Sequence, residues 1–182
     1  MKKLFPWIAT LIAICSIFIT AMPAVSAKSF QLDYKTYKVK NKKLHKVNVA
    51  DNNWSGVQTK INKVQVVTLA KKYKYESAND GTFNIDGFVR VHYIIKTSNN
   101  DVSIYPTQGT YSLDNGEQHE ADSLENWDGD ISKNVKKSGW VSIPVRNVKN
   151  IHSIRAKFDA NYDTDDVDDD NQYKTYDLTV NF

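Results

Sequence analysis

The chain has 182 residues, with 24 Lys and Arg against 21 Asp and Glu, a net charge of +3 and one cysteine. That length suits a single domain, the lone cysteine excludes a disulfide scaffold, and the near-balance of charge gives no indication of a nucleic-acid partner.

Residues 1–27 read as an export signal. Lys2 and Lys3 form a positive start, Leu4 to Ala21 is an almost uncharged apolar run, and Val25-Ser26-Ala27 offers small residues for cleavage after Ala27. The rival reading is an uncleaved anchor, since the run approaches spanning length; Pro23 and the small-residue exit favour cleavage. Cys15 lies inside the run behind bulky Ile14, which does not suit lipid attachment. The expected product is residues 28–182, free of cysteine, with no further apolar span and a net charge of +1. A cysteine-free, Lys-, Tyr- and Asn-rich exported chain fits a Gram-positive bacterium, where oxidative folding is sparse. The expected location is extracellular, in the medium or loosely held at the cell wall.

Charge is polarised along this product. Residues 28–74 hold twelve lysines against Asp33 and Asp51, a net of +10, and residues 75–135 hold eleven acids against Arg90, Lys96 and Lys133, a net of −8. Either the two regions compensate each other in the fold, or the basic third touches an anionic partner such as teichoic acid or phospholipid head groups.

Lys28 to Ser55 reads as a Lys-rich arm or leading strand. Within it Phe30, Leu32 and Tyr34 alternate, and Asp51-Asn52-Asn53-Trp54-Ser55-Gly56 makes a turn-rich break. Val57 to Leu69 is β-branched and strand-like, and Lys71 to Tyr75 prolongs it into solvent. Asn79-Asp80-Gly81 is a turn signal. It leads into Gly87 to Thr97, the clearest strand of the chain. Val89, Val91, Tyr93 and Ile95 fall on an apolar face, while Phe88, Arg90, His92, Ile94 and Lys96 make an outer face partly covered by neighbours. Val102 to Leu113 gives one or two short strands. Asp114-Asn115-Gly116 predicts a type I′ hairpin turn, and Asp122-Ser123-Leu124-Glu125 opens a short helix carrying Trp127. Strands through Val141, Ile154 and Leu178 follow, with Pro144 marking an edge strand or a kink. Seven to nine strands at this spacing predict an all-β sandwich over residues 56–182.

These strand and turn patterns, with Ser98-Asn99 and with Ser138-Gly139 before Trp140-Val141, resemble the telokin-like group of small exported immunoglobulin-like domains of Gram-positive bacteria. The resemblance covers roughly residues 56–182. It implies an immunoglobulin-like antiparallel β-sandwich with an extracellular binding or surface role, and it brings no catalytic residues.

The acidic stretch Asp163, Asp165, Asp166, Asp168, Asp169 and Asp170 supplies the oxygen ligands that Ca²⁺ takes. It lacks the glycine and closing glutamate of a helix-loop-helix calcium loop, and a solvated loop shielding the last strand pair is the competing reading. Trp54 and Trp127 lie in polar turns, where they either stack on a ligand or cap an open end of the sandwich. His45, His92, His119 and His152 show no zinc pairing, and isolated histidines of this kind are usually surface residues. Glu117, Glu120, Asp122 and Glu125 are the carboxylates a small secreted hydrolase would use. No nucleophile elbow or phosphate loop is present, so the expected function is binding, not catalysis, with no cofactor beyond a Ca²⁺ option. The expected module binds a cell-surface polymer or extracellular protein through loops at one end; the alternatives are the hydrolase and an inhibitor or immunity-type protein.

Overall fold

A computed structural model describes residues 28–121, 125, 127–166 and 168–182. The signal segment 1–27 and all of the expected short helix except Glu125 and Trp127 lie outside the described residues. The described fold is all-β. Its strands are β1 (Ser29–Leu32), β2 (Lys35–Trp54), β3 (Val57–Ser77), β4 (Gly81–Lys96), β5 (Val102–Ile104), β6 (Thr110–Leu113), β7 (Gln118–Glu120), β8 (Gly129–Ile131), β9 (Lys136–Val145), β10 (Ser153–Asn161) and β11 (Tyr173–Asn181).

Two antiparallel sheets pack together. The first runs β1-β2-β3-β4-β9; in the second, β10 pairs β11 on one side and both β5 and β6 on the other, with β8 and β7 outside them. Strand β4 is flanked by β3 and β9, and Val89, Val91, Tyr93 and Ile95 are fully buried against the second sheet, as the alternation requires. Tyr93 meets Phe158 edge-on at 5.4 Å, and its hydroxyl lies 3.0 Å from that of Tyr111, which donates to the Pro106 carbonyl at 2.8 Å. Burial is the main cause that raises both phenols well above their usual range.

Residues 28–55 form β1 and β2, paired into the sheet, and the strand continues through the expected break at Asp51 to Trp54. A register shift absorbs the polar run, with Asp51 Oδ1 accepting from the Asn53 amide at 2.9 Å. The chain reverses over Ser55 and Gly56 alone, both at positive φ, the geometry of a twisted two-residue hairpin. At Asp114-Asn115-Gly116 only Gly116 has positive φ, and its amide bonds back to the Leu113 carbonyl. That is a type I turn followed by a bulge, where the sequence predicts type I′.

A second, smaller core lies on the opposite face of the first sheet. Phe30, Leu32, Tyr37, Val39, Val67, Leu69, Tyr75, Phe83, Ile85 and Phe88 form it. Tyr75 is therefore buried, whereas Lys71, Lys72 and Lys74 on the same stretch are exposed. The cause is a bulge. Between the pairs Thr68–Gly87 and Tyr73–Ile85, β3 has four residues and β4 has one, so the strands bend and change face there. Gly87 occupies the bend because a Cβ would run into the Val148 side chain and the Val67 carbonyl.

Candidate binding face

The tryptophans read in polar turns, as ligand-stacking rings or as caps, are built into the domain. Trp54 is buried at the end of β2, packs on Tyr162 and Tyr176, and donates its indole N–H to the Asn171 carbonyl at 2.7 Å. It thus ties the acidic segment to the sandwich end. Trp127 is half-buried, lies against Tyr93 and Gly139, and donates to the Trp140 carbonyl at 3.0 Å. A Cβ on Gly139 would come within 2.5 Å of the Trp127 ring, so the glycine is what lets the indole lie there.

In the acidic segment, Asp169 accepts from the Tyr162 hydroxyl at 2.7 Å and the Asn171 amide at 2.9 Å, and Asp166 accepts from the Asp168 amide at 3.1 Å. Asp163, Asp165, Asp168 and Asp170 are exposed. Among the described residues, no three His, Cys, Asp or Glu side chains converge as a metal site. Asp166 and Asp169 do local turn work of the kind aspartate favours.

Glu117 and Glu125 belong to separate clusters. His119, only 1% exposed, stacks on Phe83 and places Nδ1 2.9 Å from Asp80 and Nε2 3.0 Å from Glu117. It therefore departs from the surface position expected of an isolated histidine. His119 is the inward residue of β7, and Ala121, just past the strand, is buried at the next alternate position, the one signal that marks it in the sequence. Glu117 also accepts from the Arg146 and Asn147 amides. Burial opposes its ionisation, but these bonds together hold its carboxyl below the usual range. Glu120 is exposed beside this cluster, and Asp122 lies outside the described residues.

Glu125 pairs with Arg90 at 3.0 Å, both side chains being more than four-fifths buried. The Arg90 guanidinium also donates to Ser142 at 2.8 Å and lies between the Phe30 and Trp140 rings, 4.9 Å from each. Burial pushes Glu125 upward, only partly countered by Arg90. Sequence alone did not expose this pair, because its members lie on different elements and no spacing rule connects them.

Arg90 marks the border on the first sheet's outer face. On one side, β1 covers Val67 and Phe88. On the other, the face is open, and pairing places on it Lys46 and Ala50 of β2; Gln58, Lys60 and Lys63 of β3; His92, Ile94 and Lys96 of β4; Lys136, Ser138 and Trp140 of β9. Asn48 and Asn52 of β2, at register shifts, join it by lining the same depression as Lys60 and Ile94. Lys46 stands directly opposite Lys63, and Lys96 directly opposite Lys136. No strand position on this open face carries a carboxylate. Among the described residues, none of Lys46, Lys60, Lys63, Lys96 and Lys136 enters an ion pair. His92 sits 4.9 Å from the Trp140 ring, with Nδ1 2.6 Å from Asn62. Burial first, then the charges of Lys63 and Arg90, lowers its pKa, which keeps it neutral near pH 7. A depression of about 350 Å³ lies between Asn48, Asn52, Gln58, Lys60, Ile94 and Lys96.

Comparison with protein-family models, with curated proteins and with solved structures finds no match to this chain.

Proposed function

We propose that the chain is an exported immunoglobulin-like binding module that engages an extracellular partner through the open outer face of its five-stranded sheet, and that it is not an enzyme. The observation that carries this reading is the contrast between loops and face. The polar groups of Trp54, Trp127, Asp166, Asp169, Glu117 and Glu125 are engaged within the domain. The open face instead offers amides, lysines, Ile94 and the Trp140–His92 pair around a shallow depression. Two packed antiparallel sheets support the immunoglobulin-like description, and residues 1–27 support export. The partner is a cell-surface polymer or an extracellular protein.

A photo-crosslinking phenylalanine placed at Asn52, on the face, tests this against the same residue at Thr179, on β11, and at Asp165, in the acidic segment. Incubated with its own cell envelopes and culture medium, the Asn52 protein should give a discrete adduct and the other two none. Adducts of equal yield from Thr179 or Asp165 would overturn the assignment of the face.

A further inference from the structure

We infer that the open face binds a linear polymer bearing regularly spaced phosphodiester groups separated by hydroxylated units that carry no nucleobase. This rests on the proposal that the face is the working surface, and adds the chemistry of what occupies it.

The first support is unbalanced charge. Like charges directly opposite on a ladder repel, and this face holds two such pairs, Lys46–Lys63 and Lys96–Lys136, with Lys60 between. Nothing in the described fold neutralises them: no carboxylate shares the open strand positions, and Glu125 at its border is committed to Arg90. An anionic partner relieves that repulsion; a neutral one leaves it.

The second is spacing. Lys63 pairs at the register of His92, four residues along β4 from Lys96. At about 3.3 Å per residue and about 4.8 Å per strand, the two lysine pairs lie roughly 16 Å apart on a diagonal, with Lys60 near the middle. That is a line of positive stations and not a single pocket. Lysine meets phosphate as a point charge, without the fixed fork of arginine, and so tolerates a flexible chain.

The third is what lies between the stations. Asn48, Asn52 and Gln58, which line the depression with Lys60 and Lys96, and Ser138, opposite Ile94, offer paired donors and acceptors, which suit hydroxyls between phosphates. The sheet's twist separates this from membrane binding. Neighbouring strands rotate by roughly 20–25°, so cations spread over β2 to β9 do not share one plane. An extended chain can follow that surface; a flat bilayer meets only part of it.

The test uses protein recovered after expression of the full chain. Poly(glycerol phosphate), phosphatidylglycerol vesicles and single-stranded RNA are titrated separately at low and physiological salt. The polymer should bind, weakening steeply as salt rises, because neutralising several phosphates releases counterions. The pairs Lys46→Gln/Lys63→Gln and Lys96→Gln/Lys136→Gln should each lose about tenfold in affinity. Lys149→Gln/Lys157→Gln, away from the face, should change it less than about twofold. Equal or tighter binding to vesicles or RNA would overturn the inference, as would a salt-insensitive polymer interaction or equal losses in the control pair. Failure to bind the polymer while the Asn52 adduct still forms would sink the phosphodiester assignment and leave the face standing.

Discussion

Arg90 and Glu125 are bound to each other on a face where neither is well solvated. Removing one partner of such a pair leaves a buried charge uncompensated, which costs more than the pair itself is worth. Arg90→Met should therefore lower stability by about 3 kcal/mol in urea unfolding, and Arg90→Met/Glu125→Leu should recover most of that loss. A double variant no better than the single one would mean that Arg90 acts through its packing on Phe30 and Trp140. The two glutamates of this region also respond to acid with opposite sign. Glu117 is held below the ordinary value of 4.5, so its contribution is present above that pH and is lost as pH falls through its lower folded-state value. Glu125 is held above 4.5, so its contribution is present below that pH and is lost as pH rises through its higher folded-state value. Stability measured between pH 7 and pH 3 should fall less steeply with acid in Glu117→Gln and more steeply in Glu125→Gln. Parallel slopes in both variants would contradict this assignment.

At the scale of single elements, the bend between β3 and β4 is the most sensitive point. Gly87→Ala places a methyl against the Val148 side chain and the Val67 carbonyl and should cost about 2–3 kcal/mol. Adding Val148→Ala should restore only part, since the backbone oxygen cannot be trimmed; full restoration would show that the side chain alone sets the limit. Strand β2 presents a different problem. β1 pairs only its first four residues, Lys35 to Lys38, so its outer edge beyond them has no further strand beside it among the described residues. Lys40, Lys42, Lys43 and Lys46 line that stretch, and charge of this kind discourages edge-to-edge pairing. Lys40→Thr/Lys43→Thr, which leaves the open face intact, should form concentration-dependent oligomers in light scattering where the parent stays at constant mass.

Across the whole molecule, the lysines that give residues 28–74 their charge are not simply paired with the acids of residues 75–135. Among the described residues only the exposed Lys74–Glu76 pair joins the two regions; the other ion pairs are Arg90–Glu125, Arg155–Asp177, Lys174–Asp51 and those around His119. The open face therefore carries self-repulsion in the free protein. Lys46→Gln should raise stability by about 0.5 kcal/mol at low salt, and the gain should vanish in molar salt, where screening shortens to about 3 Å. A loss of stability at low salt would show that Lys46 has a favourable partner.

Period-two alternation by itself determined a great deal here. It placed Val89, Val91, Tyr93 and Ile95 in the core, with Ile154, Ala156, Phe158, Tyr176, Leu178 and Val180 facing inward on the last two strands. That works because a pleated strand sends neighbouring side chains to opposite faces whatever lies beside it. Pro144 marked an edge or a kink, and the pairing of β9 with β4 alone in the first sheet makes it an edge. Only the tertiary structure decided where Trp54, His119 and Glu125 end up, because each takes its partner from an element distant in the chain. The same holds for the open face. Lys46, Lys63, Lys96 and Lys136 are scattered in sequence, and it is strand order and register that bring them together. A register change of one residue would send a whole strand's set to the other side, so a list of lysines cannot specify a surface until the pairing is known.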